Sequence, residues 1–144
     1  KIIEREWGQE GELPGRELVL DDGIRQQRQF VCDQNGTLWI YGGTDYDDLT
    51  LATKLWSVPR NGELATRKPP DSNLGLQCFT FLAAPDQTLW IIGGIQIDDE
   101  DEYYSNKVLQ YSILEDCWNP KENLDVPLSG SQGVVYAKGE EYMI

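Results

Sequence analysis

The chain has 144 residues, a length sufficient for one domain with its own hydrophobic core, and its hydrophobic content of 40% is typical of folded proteins. It carries 25 Asp and Glu residues against 12 Lys and Arg, and the resulting formal charge of −13 opposes binding to nucleic acid and to anionic lipid. Because it contains no histidine, it cannot by itself assemble a Ser-His-Asp or Cys-His nucleophile or a His-ligated zinc or copper site. No apolar run approaches the roughly 18 residues of a membrane-spanning helix, so no membrane insertion is expected.

Cysteine usage bears on the cellular compartment. Cys32, Cys78 and Cys117 are widely spaced and form no CxxC pair, so they favour free thiols over a zinc knuckle or a redox motif. Free thiols point to an intracellular protein. The Asn-Gly-Thr sequence at 35–37 would be a glycosylation site in a secreted protein, but Asn-Gly is also a strong hairpin-turn signal, and we favour the turn.

The first predicted unit covers residues 21–68. Two apolar-rich runs flank a tight turn at 33–36 and therefore predict a hairpin. Gly42 and Gly43 end the second run, and an acidic loop follows. The candidate binding residues of that loop are Asp45, Asp47 and Asp48. The strands predicted for this unit lie at 29–32, 37–41, 54–58 and 62–66.

The second predicted unit covers residues 69–120 and repeats this plan. A turn at Pro85 and Asp86 joins its first two strands, and Gly93 and Gly94 end the second. A longer acidic loop comes next, with the candidate binding residues Asp98, Asp99, Glu100, Asp101 and Glu102. The predicted strands lie at 78–82, 89–92, 107–111 and 117–119.

The two units share a phrase of seven residues, at 37–43 and 88–94, offset by 51 positions. Four strands in roughly 50 residues, repeated at a fixed period, predict blades of an all-β propeller. Residues 121–144 are expected to hold the opening hairpin of a further blade. Residues 1–20 are expected to hold the closing strand of a preceding blade, with Trp7 corresponding to Trp118, and the connection that follows it. The blades needed to close the ring would then come from the same polypeptide or from another chain.

At these residues the chain resembles the kelch repeat family. The resemblance rests on strands carrying Trp39 and Trp90, the glycine pairs that follow them, and the later aromatic residues Tyr111 and Trp118. The first unit departs from the pattern, because Thr66 or a neighbour stands where the last tryptophan of the repeat belongs. The resemblance implies a four-stranded blade in which tryptophan and tyrosine fill the space between blades.

A second family shares part of the first hairpin. The run from Asp33 to Trp39 is similar to the Asp box of sialidase-type propellers, which combines an aspartate, a glycine and an aromatic residue in a hairpin. The spacing from Asp33 to Gly36 is one residue too long for that motif, and Gln87 replaces the glycine in the second unit. We therefore favour the kelch resemblance.

In a four-stranded blade, the connections between strands two and three and between successive blades emerge at the same end. Both acidic loops are connections of the first kind, so we expect them to lie side by side on one negative face. Such a face favours a basic protein or peptide as partner, with Tyr103 and Tyr104 as aromatic anchors. The polar connections at 67–73 and 120–123 are expected at the same end. A solvated charge run is the alternative interpretation of the acidic loops, and neither loop has the spacing of an EF-hand calcium site.

What the kelch resemblance implies is a platform for protein recognition, without a catalytic residue, metal or cofactor in this chain. The alternative is an enzyme on a propeller, either a carboxylate-based glycosidase or a copper oxidase. The oxidase would need histidine ligands from outside this segment, so its active site would lie partly elsewhere.

Overall fold

Runs rich in apolar and β-branched residues, separated by turn residues, fold this chain into short β-strands. The computed structural model describes residues 2–5, 15–21, 23–24, 26–45, 50–51, 53–70, 76–98, 101–139 and 141–144. This described part has no helix, which confirms the predicted all-β class. Its strands are β1 (Ile2–Arg5), β2 (Gly15–Leu18), β3 (Gln29–Cys32), β4 (Leu38–Tyr41), β5 (Thr44–Asp45), β6 (Thr50–Leu51), β7 (Leu55–Val58), β8 (Ala65–Arg67), β9 (Leu76–Gln77), β10 (Thr80–Ala84), β11 (Thr88–Ile92), β12 (Ile95–Asp98), β13 (Asp101–Tyr104), β14 (Val108–Ser112), β15 (Cys117–Pro120), β16 (Tyr136–Lys138) and β17 (Glu141–Met143).

Two four-stranded antiparallel sheets contain the strands predicted for the two units. The first blade has the order β3-β4-β7-β8, and the second blade has the order β10-β11-β14-β15. Strands β3 and β10 lie against each other and are therefore the neighbouring inner strands of two adjacent blades. This arrangement is that of successive blades of a β-propeller.

The strand register shows that the two tryptophan and double-glycine segments are equivalent. Trp39 on β4 lies opposite Ser57 on β7, and Trp90 on β11 lies opposite Gln110 on β14. Because side chains alternate along a strand, Trp39 and Tyr41 share the face of β4 that meets the second blade. Trp90 likewise meets Tyr142 on β17, with the ring centroids 6.5 Å apart.

An aromatic core fills the space between the two blades. Trp39 and Tyr41 are 1% and 0% exposed, respectively. The ring centroid of Trp39 lies 5.8 Å from that of Tyr111, and that of Tyr41 lies 5.5 Å from that of Phe79, both in edge-to-face geometry. Trp118 also contacts Tyr41, at 6.0 Å between centroids. Each such ring buries a large apolar area at a low cost in conformational entropy, so this core is the main attraction between the blades.

A second apolar cluster covers the opposite face of the first blade. There Ile40, Trp56 and Val58 pack against Leu18, the last residue of the hairpin formed by β1 and β2. Leu64 also joins this cluster. Since Ser57 pairs with Ala65, Leu64 follows in register opposite Val58, as Trp118 lies opposite Tyr111. Leu64, two residues before Thr66, thus occupies in the first blade the position that Trp118 occupies in the second.

Both glycine pairs adopt the same left-handed backbone. The φ angles are 72° and 100° at Gly42 and Gly43, and 65° and 104° at Gly93 and Gly94. A Cβ atom at Gly93 would overlap the carbonyl oxygen of Leu128, and one at Gly94 would lie 2.8 Å from the Cβ of Phe79. Glycine is therefore required here both by the left-handed backbone and by the close approach of neighbouring atoms.

Asp33 closes the first hairpin. Its carboxylate accepts hydrogen bonds from the backbone N–H groups of Asn35 and Thr37, each at 2.9 Å, and from the indole N–H of Trp39, also at 2.9 Å. Gly36 has a φ of 77°, as the predicted Asn-Gly turn requires. The carboxylate thus connects the hairpin turn to the aromatic core.

The first and last segments of the chain contain hairpins. Strands β16 and β17 form the hairpin predicted within residues 121–144. Residues 1–20 contain two paired strands, β1 and β2, where one closing strand was predicted. Trp7, predicted to close a preceding blade, lies outside the described residues.

Gly93 and Gly139 have the same φ of 65°, but a Cβ atom at Gly139 would meet nothing within 4 Å. Comparing alanine substitutions at the two positions therefore separates the steric requirement from the conformational one. We expect Gly139→Ala to lower the free energy of unfolding by about 1 kcal/mol through backbone strain alone. Gly93→Ala should cost about 3 kcal/mol or more, since Leu128 must also move. Urea denaturation measures both values, and equal losses would contradict the steric argument.

Trp39→Ala should lower the free energy of unfolding by about 3–5 kcal/mol, because it empties the centre of the inter-blade core. Trp90→Ala should cost less than half as much, because its ring is only half-buried. Chemical denaturation followed by circular dichroism checks both variants. A loss below about 1 kcal/mol for Trp39→Ala would contradict the assignment of this ring to the core.

Candidate functional site

The strand register defines the end of the blades where the predicted binding residues lie. Ile92, at the end of β11, is paired with Val108, at the start of β14, and Leu109 is paired with Pro120, at the end of β15. We call this end the loop face. The connection from β11 to β14 and the connection after β15 both leave the second blade there, as expected from the sequence.

The longer acidic segment is a hairpin, whereas a loop was predicted. Asp98 is the last residue of β12 and pairs with Asp101, the first residue of β13. Isoleucine in β12 and tyrosine in β13 favour extended strands, so Asp98, Asp101 and Glu102 lie within strands. Asp99 and Glu100 lie outside the described residues. Leu76 and Gln77 of β9 pair with β12 and complete a three-stranded sheet in the order β13-β12-β9.

Four exposed side chains follow one another on β13. Asp101, Glu102, Tyr103 and Tyr104 are all exposed, and the two tyrosines are 51% and 61% exposed. The Tyr103 hydroxyl lies 3.5 Å from a carboxylate oxygen of Asp101. In the described part of the chain, β13 pairs on one side only, with β12. The strand therefore presents two aromatic rings, two carboxylates and a backbone edge to solvent.

The shorter acidic segment leaves the first blade in the same way. Thr44 forms a bridge with Gln26, as Ile95 pairs with Gln77 one repeat later in the chain. Asp45 follows Thr44 on β5 and is half-buried. Asp47 and Asp48 lie outside the described residues. Both acidic connections thus start at the loop face, and the expectation that they lie side by side there stays a prediction.

A groove lies on the loop face where the two blades meet. We call it the outer groove; its volume is about 260 Å³, and it is lined by Pro70, Lys107, Val108, Leu109, Trp118, Pro120 and Asn123. Pro70 belongs to the connection that leaves the first blade, and Pro120 and Asn123 belong to the one that leaves the second. The sequence analysis predicted that both connections lie at this end of the blades. It gave no sign of Lys107, Val108 and Leu109, which line the groove because β14 begins there.

A smaller polar pocket of about 170 Å³ lies between the inner strands. Gln29, Thr80 and Ser131 are among its lining residues. The Thr80 hydroxyl donates to the Ser131 backbone oxygen at 2.9 Å, so part of its hydrogen-bonding capacity is already used. No sequence signal indicated this pocket, because residues from three separate segments form it.

A polar network links the blades beside the aromatic core. The Arg67 side chain donates to the Tyr111 hydroxyl at 3.2 Å and to the Ile113 carbonyl at 3.0 Å. The Tyr111 hydroxyl in turn donates to the Asp116 carboxylate. Burial raises the pKa of Tyr111 above its usual range, and the bond to Asp116 raises it further. The same bond from Tyr111 lowers the pKa of Asp116.

The described residues offer no group of three or more His, Cys, Asp or Glu side chains that could hold a metal ion. Cys32, Cys78 and Cys117 are free thiols. Within the part of the chain that the structure describes, no helical segment has the length and hydrophobicity required to cross a membrane.

Comparison with known proteins supports the fold. No family model matches the sequence, and no curated protein sequence matches it. Among solved structures, the chain is similar to YjhT, a propeller-type protein, with a TM-score of 0.63 and 13% sequence identity. The match covers 84% of this chain and 34% of the YjhT chain, so the chain spans about a third of that length. At this identity the likeness shows the fold alone, and it agrees with two successive propeller blades.

Tyr111→Phe should raise the pKa of Asp116 toward its usual value, because the hydroxyl that stabilises the carboxylate is removed. It should also lower the free energy of unfolding by about 1 kcal/mol. Since the pKa of Asp116 is lowered in the folded chain, its stabilising contribution is present above its unfolded pKa and is lost as the pH falls through the folded value.

Carboxyl-carbon NMR over a pH titration measures the pKa of Asp116 in each variant. Tyr136→Phe is the control, because Tyr136 is 61% exposed and lies outside this network. An unchanged Asp116 pKa in Tyr111→Phe would contradict the role assigned to the tyrosine hydroxyl.

Proposed function

We propose that the chain is part of a kelch-like propeller that serves as a protein-interaction module. In this proposal residues 21–68 and 69–120 are two blades, and the segments 1–20 and 121–144 belong to the blades on either side. Further blades come from the same polypeptide or from another chain. The repeated register of Trp39 and Trp90, the two pairs of left-handed glycines and the partial coverage of YjhT support this organisation.

The partner we propose is a basic segment of a protein, recognised at the loop face. The observation that carries this proposal is the exposed strand β13, where Tyr103 and Tyr104 stand next to Asp101 and Glu102. Exposed tyrosines provide contact area with few rotatable bonds, and neighbouring carboxylates attract lysine and arginine. The overall charge of −13 extends this attraction over longer distances at low salt.

One edge of β13 pairs with no other strand in the described part of the chain, and this edge adds a mode of binding. An extended peptide that pairs with an exposed strand gains backbone hydrogen bonds irrespective of its sequence, and the side chains of the strand supply the selectivity. On β13 the side chains of residues 101 and 103 share one face, and those of 102 and 104 share the other. A paired peptide would therefore meet one carboxylate and one tyrosine on each face.

A propeller enzyme is the second candidate function, with a carboxylate pair or a copper site. A copper oxidase would need ligands beyond the described residues, which offer no cluster for a metal. The hydrogen bond from Tyr111 lowers the pKa of Asp116, whereas a general acid needs a raised pKa. These observations favour the binding module.

Selection of random peptides against the protein tests the proposal. We expect the bound peptides to be rich in lysine and arginine and their affinity to fall as salt is added. The double variant Asp101→Asn, Glu102→Gln should weaken binding of a selected peptide at least tenfold and reduce its salt dependence.

The matched control is Glu63→Gln, Glu115→Gln, which removes the same charge from exposed residues at the opposite end of the blades. If this control weakens binding as much as the β13 variant, the net charge rather than the strand attracts the peptide. Selected peptides without an excess of basic residues would also contradict the proposal.

A further inference from the structure

The outer groove has an apolar floor and a polar rim. Val108 and Trp118 are each only 9% exposed, and Pro70 is buried, so these side chains form the floor. Lys107 and Asn123 are exposed and stand at the rim. An apolar cleft with a few polar groups at its opening is the usual construction of a small-molecule site.

The polar groups at the rim are not engaged elsewhere in the described part of the chain. The ion pairs described there join Lys54 to Asp21 and Arg67 to Asp116, and Lys107 takes part in neither. The hydrogen bonds described there include the backbone N–H of Lys107, which donates to the Ser105 hydroxyl at 3.2 Å, and leave its ammonium group available. Among the described residues, Lys107 therefore has no carboxylate partner, and it lies beside an apolar cleft.

We propose that the outer groove binds a small organic carboxylate, with the apolar body on Trp118 and the prolines and the carboxylate on Lys107 and Asn123. This inference is independent of the peptide-binding role proposed for β13. The volume of about 260 Å³ is at the lower limit of ligand pockets, so the body is a single aromatic ring or a short branched chain.

Electrostatics explain why the carboxylate stays at the rim. Burying it in the apolar floor would forfeit its hydration, whereas at the rim it keeps water and gains a charge-assisted hydrogen bond from the ammonium group. The net charge of −13 repels anions at longer range, so the ligand depends on direct contact with Lys107. An uncharged analogue with the same body lacks that contact and should bind more weakly.

The test uses phenylacetate, 3-phenylpropanoate and 3-methylbutanoate, each paired with its uncharged amide. Binding is followed by calorimetry and by the NMR shift of the Trp118 indole N–H, which donates to the Lys68 carbonyl at 2.7 Å beside the groove. We expect at least one of the acids to bind saturably and its amide to bind at least tenfold more weakly. Lys107→Met should weaken binding of the acid at least tenfold and leave binding of the amide unchanged.

Lys121→Met is the matched control, because Lys121 is also exposed, lies on the same connection as Asn123 and does not line the groove. It should leave the affinity for the acid within twofold of the unmodified protein. The absence of saturable binding for all three acids would overturn the proposal. Equal affinities for acid and amide, or equal losses of affinity in the two lysine variants, would also overturn it.

The β13 variant Asp101→Asn, Glu102→Gln should keep the affinity for the acid, which separates this site from the peptide-binding proposal.

Discussion

Packing of the Trp39 and Tyr41 rings against the second blade is the interaction on which the rest of this structure depends. Side chains alternate along β4, so two residues of one strand present their rings to the same neighbouring sheet. The rings meet Tyr111, Phe79 and Trp118 in edge-to-face or tilted geometry and exclude water between the blades. An isolated four-stranded sheet would expose this apolar face, and stacking the sheets is what gives the repeat a core.

That packing also explains the glycine pairs and the polar network around it. After β4 and β11 the chain must turn sharply while neighbouring backbone and rings approach closely, and a left-handed residue without a side chain meets both needs. The Arg67 guanidinium lies over the Trp39 ring, 5.5 Å from its centroid, and donates to the Tyr111 hydroxyl. The guanidinium group therefore covers the edge of the aromatic core, and its hydrogen bond to the Tyr111 hydroxyl links the two blades.

The buried core and the exposed acidic and tyrosine residues occupy different parts of the second repeat. The sheets carry the buried aromatic and aliphatic side chains, while the acidic and exposed tyrosine residues of β13 extend from the loop face. Because no β13 residue belongs to the core cluster between the blades, substitutions on β13 should cost little stability. The outer groove combines both kinds of segment, because its floor includes the core residue Trp118 and its rim comes from connecting segments.

The sequence by itself determined the all-β class, the strand pairs of both blades and the equivalence of Trp39 and Trp90, because each depends on local periodicity and on a repeat visible in the chain. It missed the hairpin of β12 and β13, because the run of acidic residues predicted a loop although isoleucine and tyrosine beside it favour strands. Only the tertiary structure decided that Leu64 occupies in the first blade the position of Trp118 in the second. It also decided that Gln27 and Cys78 adopt a left-handed backbone, with φ angles of 56° and 55°. It also decided which residues line the outer groove, since that groove forms where distant segments of two blades meet, and a linear pattern contains no information about contacts of that kind.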